Sequence, residues 1–241
     1  MRYGILGDIH SNLEALQAVV IACQEQNVKT FLCVGDIVGY GADPIRCIET
    51  IQELKADAVA GNHDWAVAGK FEPTDFNSMG QAAVMWTRDV LSNEQRHFLN
   101  NLPLIYKNED LILVHGTLNK ADQFIYLEDI GQALDTFYLM DNNVCFVGHT
   151  HVPQIFVKQD EKVYYAHSLQ IETNYQNKYI INVGSVGQPR DLNPMAAYCI
   201  YDTETKIIEI KRIRYDVELA QRKILEAGLP EFLAYRLKVG Q

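Results

Sequence analysis

Five short stretches of this chain carry side chains that bind metal ions or move protons. They are Asp8-Ile9-His10, Asp36, Asn62-His63-Asp64, His115 and His149-Thr150-His151. A glycine adjoins each one (Gly7, Gly35, Gly61, Gly116 and Gly148), and an apolar run precedes each. The donor set is carboxylate, imidazole and amide oxygen without thiolate, which suits Mn²⁺, Fe or Zn²⁺ better than Ca²⁺ or a sulfur-bound cluster. Asp8, His10, Asp36, Asn62, His115, His149 and His151 are too many ligands for one structural zinc. They fit two ions sharing a bridging carboxylate. Ions about 3.5–4 Å apart can bind a phosphoryl group, lower the pKa of a bridging water and stabilise in-line displacement. Each piece alone has a plainer reading. A Gly-Asp after a strand is commonly a turn or helix cap, Asn62 is a turn residue type, and His115 could be a satisfied core histidine. The pair His149 and His151 flanking one residue is more specific, and the agreement of all five stretches carries the inference. His97 and His167 match no such pattern and read as surface or loop residues.

The elements that must position these residues follow from periodicity. Strands are expected at Tyr3–Gly7, Phe31–Val34 and Ala58–Ala60. Between them lie a helix through Leu13, Leu16, Val19, Val20 and Cys23, capped by Ser11 or Asn12, and a helix from about Pro44 to Leu54. This alternation argues for a parallel sheet. Residues from about Trp65 to Asn101 read as a helical insertion covering one side of the site, with a capping box at Ser92 and Gln95. Leu111–Val114 and Val144–Val147 are strands, with a polar, aromatic loop at Thr117–Tyr126 and a helix at Ile130–Leu139 between them. Further strands are expected at Ile155–Val157, Val163–Tyr165, Tyr179–Val183, Ala196–Tyr201 and Ile207–Ile213, the last two joined by a hairpin turn at Asp202–Thr205. Helices at Val217–Ala227 and Pro230–Leu237 close the chain. In open α/β sheets ligands gather at the carboxyl ends of strands, and all five stretches sit at such ends.

In their order and spelling the five stretches resemble the calcineurin-like metallophosphoesterases, whose pattern is D-x-H, GD, GNH[DE], H and GHTH. The resemblance covers nearly the whole chain. It implies an α/β fold, a four-layer α/β/β/α sandwich of two mixed sheets with flanking helices. It also implies that Asp8, His10 and His151 hold one metal, that Asn62, His115 and His149 hold the other, and that Asp36 bridges. The nucleophile would be a metal-bridging water or hydroxide. His63 matches the family's catalytic histidine, protonating the leaving oxygen or stabilising charge on the phosphoryl group, and Asp64 could orient it. A second group is Asn182–Asp191, where Arg190 could hold a phosphate oxygen in a fork geometry, or alternatively pair with an acid in a sharp turn. Gln188 is a further substrate-binding candidate in that turn. Tyr40 could stack on a base or ring. Together with Asp36–Gly41 and Glu226–Ala234, this turn resembles a bacterial branch labelled diadenosine-tetraphosphatase-like or general phosphoesterase.

Composition bounds the rest. With 241 residues, one domain spanning 1–241 is the expectation. The formal net charge of -10 argues against a nucleic-acid polymer as partner. Five cysteines without C-x-x-C spacing read as buried thiols in a reducing compartment. No signal peptide or bilayer-spanning run is read, so a cytoplasmic location without membrane association is expected. The expected function is hydrolysis of a small phosphorylated substrate, possibly a nucleotide, using two divalent transition ions (Mn, Fe or Zn). Alternatives are a dinucleoside polyphosphate hydrolase, a nucleotide phosphodiesterase, and a catalytically inactive scaffold of the same fold. A scaffold would be expected to lack ligands or the His63 equivalent, and this chain lacks none. No residue pattern specifies the substrate, the native metal or the oligomeric state.

Overall fold

The computed structural model describes residues 1–241. The first half runs β1 (Arg2–Leu6), α1 (Leu13–Glu25), β2 (Thr30–Cys33), α2 (Pro44–Glu53) and β3 (Asp57–Ala58). Three helices follow, α3 (Asn62–Ala68), α4 (Ser78–Val90) and α5 (Asn93–Asn100), then β4 (Ile105–Lys107), β5 (Ile112–Val114), α6 (Ile130–Leu139) and β6 (Val144–Val147). The remainder is β7 (Gln154–Gln159), β8 (Lys162–Tyr165), β9 (Gln170–Glu172), β10 (Lys178–Asn182), β11 (Ala196–Asp202) and β12 (Ile207–Ile213), closed by α7 (Val217–Glu226) and α8 (Glu231–Tyr235).

The strands form two six-stranded mixed sheets, ordered β3-β2-β1-β11-β12-β9 and β4-β5-β6-β10-β7-β8. Successive side chains on a strand point to opposite faces, and here both faces are apolar. On β1, β2 and β11, the side chains of Ile5, Leu32, Cys199 and Tyr201 enter the layer between the sheets. Their neighbours Leu6, Phe31, Cys33, Tyr198 and Ile200 face α1 and α2. On β6 and β10, Val144, Phe146, Tyr179 and Ile181 enter the inter-sheet layer. Cys145, Val147 and Ile180 instead pack under Ala133 and Phe137 of α6. The result is the expected four-layer α/β/β/α sandwich. All five cysteines are free and buried. No helix is long and apolar enough to cross a membrane.

Local chemistry sets several boundaries. Asn12 caps α1 by accepting from Ala15 N at 3.2 Å, while its amide donates to Gly187 O at 2.8 Å. The Ser92–Gln95 capping box opens α5. Asp202 Oδ1 accepts from Glu204 N at 3.0 Å in the β11–β12 turn. The third strand is shorter than expected, and the helical segment begins at Asn62 instead of about Trp65. The cause is Asp64, which accepts from Gly61 N at 3.0 Å and so starts the helix immediately after the glycine. The short strands β4 and β9 were not expected.

The inter-sheet layer is the packing on which the alignment of strand ends rests. Phe146, fully buried there, is its most direct probe. Phe146→Ala is expected to cost about 3–5 kcal/mol, read as a lowered midpoint in urea unfolding.

Candidate metal centre

Strands β1, β2 and β3 are parallel in one sheet, and β5, β6 and β10 are parallel in the other. Their carboxyl ends therefore deliver side chains to one edge of the sandwich. Asp8 and His10 follow β1, Asp36 follows β2, Asn62 follows β3, His115 follows β5, and His149 and His151 follow β6. The loop after β10 brings Gln188 and Arg190.

These residues converge. Ligand atoms of Asp8, His10, Asp36 and His151 lie within 4.8 Å of one another, and those of Asp36, His115 and His149 form a second such group. Asp36 belongs to both. His10 Nε2 is 3.5 Å and His115 Nε2 3.3 Å from Asp36 Oδ2, and His151 Nε2 is 3.3 Å from Asp8 Oδ1. The backbone is bent to achieve this. Asp8, His10, Asp36, His149 and His151 all have φ between 48 and 70°, a left-handed conformation costing roughly 1–2 kcal/mol per residue. Two close approaches require glycine. A Cβ on Gly61 would stand 2.0 Å from Asp36 Oδ1, and one on Gly148 would stand 2.6 Å from Asp8 Oδ2.

Backbone carbonyls fix the histidine tautomers. His10 Nδ1 lies 3.1 Å from Val38 O, His115 Nδ1 2.7 Å from Val34 O, and His151 Nδ1 2.6 Å from Gln188 O. A carbonyl only accepts, so each Nδ1 carries the proton and donates, leaving Nε2 to face the cluster. His10 Nε2 and His151 Nε2 are 3.1 Å apart, as are His115 Nε2 and His149 Nδ1. The lone pairs of His10 Nε2 and His151 Nε2, opposed at 3.1 Å, repel unless a cation lies between them. Asn62 Oδ1 is buried without a hydrogen-bond partner. Facing lone pairs, two carboxylates and an orphaned amide oxygen are the chemistry of a cation site, and the residues present fit divalent ions.

The electrostatics agree. Burial, with Asp36 adding to it, pushes Asp8 up to about 7. Burial alone would also raise Asp36, but His115, His63 and His10 hold it well below the usual carboxylate range. Burial opposes charge on His115, yet Asp36 and Asp8 outweigh it and raise the imidazole to about 9. Burial drives His10, His149 and His151 well below the ordinary histidine value, so they stay neutral.

The residues expected around the metal positions have different fates. His63 is buried on the cavity wall, its ring 4.7 Å from Phe76 and 4.4 Å from Tyr40, with Nδ1 unpartnered. Burial lowers it to about 4. Asp64, expected to orient His63, makes its hydrogen bonds to backbone amides instead of to that ring. Asp64 Oδ1 accepts from Ile37 N at 2.9 Å and Val38 N at 3.2 Å, and Oδ2 accepts from Gly61 N. It clamps the loop after Asp36 to the start of α3. Tyr40, the candidate for stacking on a substrate ring, lines the cavity. Its ring is buried, tilted against His10 at 4.6 Å and against His63, and it props both imidazoles. Gln188, the other substrate-binding candidate of the Asn182–Asp191 turn, is not among the residues lining the cavity. It is buried behind the site, where its carbonyl fixes His151 and its Oε1 accepts from Arg190 Nε at 3.3 Å and Nη2 at 3.1 Å. Arg190 lines the cavity and pairs with no acid; Asp191 pairs with Arg212 instead. His97 and His167 are exposed, away from the cluster.

Sequence reasoning set the 65–101 insertion over one side of the site but did not name the residues of the cavity walls. Phe71 and Phe76 come from the segment before α4, and Phe124 and Tyr126 from the loop before α6. Local aromatic density was the only available signal. Arg236 was also missed. Its guanidinium lies 6.0 Å from the Tyr40 ring, and burial together with Arg190 lowers it to about 10.

Residues 1–206 match the calcineurin-like phosphoesterase superfamily domain. The chain is 42% identical over 241 residues to an uncharacterized protein of Methanocaldococcus jannaschii, covering 98% of this chain and 97% of that one. A metallophosphoesterase from Sphaerobacter thermophilus superposes with a TM-score of 0.86 at 34% identity, covering 100% of both chains. A hypothetical protein from Pyrococcus horikoshii gives a TM-score of 0.82 at 20% identity, covering 100% of this chain and 98% of the other, and shares the fold.

The geometry of Asp64 predicts a stability effect. Asp64→Ala strands three backbone amides, each worth about 1–3 kcal/mol when buried and unpaired. Urea unfolding is expected to show a loss of at least about 2 kcal/mol. Unchanged stability with lowered turnover would restore Asp64 as a partner of His63.

Proposed function

The chain belongs to the calcineurin-like phosphoesterase superfamily, and from that premise we propose that it is a dinuclear-metal hydrolase of a small phosphate ester. The observation that carries the reading is the membership of Asp36 in both ligand groups. A carboxylate so placed suits a bridge. Asp8, His10 and His151 would hold one ion, Asn62, His115 and His149 the other, and Asp36 would touch both. The pair, when bound, would supply Lewis acidity toward a phosphoryl oxygen and an activated water.

The chain's own residues do the remaining work. Arg190 reaches the cavity with its Nε and one terminal nitrogen tied to Gln188, leaving other N–H groups to donate to phosphoryl oxygens. Hydrolysis breaks the bond between phosphorus and the leaving oxygen, and that oxygen must gain a proton. His63, on the cavity wall between Tyr40 and Phe76, is the candidate donor: neutral, it would give a hydrogen bond to the phosphoryl group, and a bound phosphate anion, by favouring the imidazolium, would let it give the proton. Tyr40 and Phe76 restrict its ring, so little ordering remains for the reaction. The complete ligand set and the presence of His63 weigh against an inactive scaffold.

The test is turnover of p-nitrophenyl phosphate by Mn²⁺-loaded protein with and without chelator. Chelation is expected to abolish activity. His63→Ala is expected to lower kcat by roughly 10²–10⁴ with metal content near normal. Turnover indifferent to chelation would contradict the reading, and lost metal in His63→Ala would make His63 a ligand instead.

A further inference from the structure

The cavity above the cluster encloses about 950 Å³, enough for a ligand well beyond phosphate itself. One wall is aromatic. Phe71 lies 6.3 Å from both Phe76 and Phe124, ring centre to ring centre. Phe76 continues to His63 at 4.7 Å, and Phe124 to His115 at 5.9 Å. Tyr126 stacks on His149 at 3.8 Å with only 17° between planes. The rings thus form a row that begins on the imidazoles at the cavity floor and climbs away from them. Phe71 and Phe76 remain half-buried and Tyr126 exposed, so apolar ring surface is left uncovered inside the cavity.

The charges lining the same cavity are uneven. Arg190 is the single arginine or lysine in its lining. It is tethered to Gln188 and stands 5.9 Å from the Tyr40 ring, beside His10 and His63. That location serves the phosphoryl group at the floor. Farther out are Asp75 and Asp122, exposed and without a salt bridge, and Glu72, which Arg88 partly neutralises at 3.2 Å. A second phosphate beyond the reacting one would meet carboxylates without a cation to answer them, in a chain already at -10. A ring bearing no negative charge would meet the aromatic wall and leave the acids solvated or hydrogen-bonded to its substituents.

We propose that the phosphate ester hydrolysed here carries an aromatic, uncharged or cationic group, which lies on Phe71, Phe76 and Tyr126, and carries no second phosphate. This rests on the phosphoesterase reading above and narrows it. It also chooses against the dinucleoside polyphosphate alternative, because the arginine needed for distal phosphates is not at the rim.

Calorimetry on the Mn²⁺-loaded protein with non-hydrolysable phosphonates tests this without relying on turnover. The probes are methylphosphonate, benzylphosphonate, 4-(aminomethyl)benzylphosphonate and 4-carboxybenzylphosphonate. Benzylphosphonate is expected to bind about 10-fold or more tightly than methylphosphonate, the worth of one stacked ring. The aminomethyl compound should bind at least as tightly as the benzyl compound, and the carboxy compound several-fold more weakly. Phe71→Ala should reduce the benzyl-to-methyl ratio. The double variant Asp75→Asn with Asp122→Asn should erase the spread between aminomethyl and carboxy compounds. Equal affinities for benzyl and methyl, or tightest binding of the carboxy compound, would overturn the proposal while leaving the phosphoesterase reading intact. Failure of every phosphonate to bind would overturn both.

Discussion

Nearly everything at this edge of the sandwich depends on the burial of two carboxylates among four imidazoles. Asp8, Asp36, His10, His115 and His151 are at most 1% exposed. Protein contacts answer only part of that charge, through His115, which Asp36 and Asp8 raise to about 9 against its burial. Carboxylates withdrawn from water require a compensating charge, and the facing lone pairs of His10 and His151, 3.1 Å apart, are relieved only by a cation between them. Left-handed backbone at five of the seven candidate ligand positions adds conformational cost. Strain of this kind persists only where the surroundings impose it. Here the surroundings are the ends of parallel strands in two sheets, locked by a shared apolar layer and by glycines that let Asp8 and Asp36 approach other backbone. Cations bound at this cluster would relieve the electrostatic part of that cost, so site and fold are best understood as one object.

The arrangement divides labour between side chains and backbone. Side chains supply the donor atoms, but the carbonyls of Val34, Val38 and Gln188 decide which imidazole nitrogen faces the cluster. Asp64 works one layer further out by fixing the amides of Ile37, Val38 and Gly61. Through Val38 its influence extends to His10, whose Nδ1 donates to that residue's carbonyl. Gln188 likewise joins His151 to Arg190, so the guanidinium lining the cavity and one of the candidate ligands share a single support.

Much of this was legible in the sequence because strand ends carrying Gly-Asp, Asn-His and His-x-His announce themselves through composition and order. The helices α1, α2 and α6 were legible through apolar spacing and start signals such as the Asn12 cap and Pro44 in the first turn. What stayed hidden has physical reasons. Strands β4 and β9 have three residues each and little apolar alternation, so they exist only because a neighbouring strand pairs with them. The start of α3 at Asn62 depends on a cap formed by Asp64, a residue that the motif suggested for a different role. Tyr40 looks like any loop aromatic until His10 and His63 are seen on either side of it. The aromatic wall comes from two loops far apart in sequence, and no local pattern joins Phe71 to Phe124. Backbone carbonyls leave no trace in composition at all.

The central claim is that one buried cluster holds two ions through Asp36. Its most direct measurement is metal content per chain after Mn²⁺ loading and removal of free ion, by elemental analysis, in the native chain and in Asp36→Ala. The account predicts two ions per native chain and a large loss of both in the variant, because one carboxylate serves both positions. A single ion in the native chain, or a variant that retains its full complement, would contradict it.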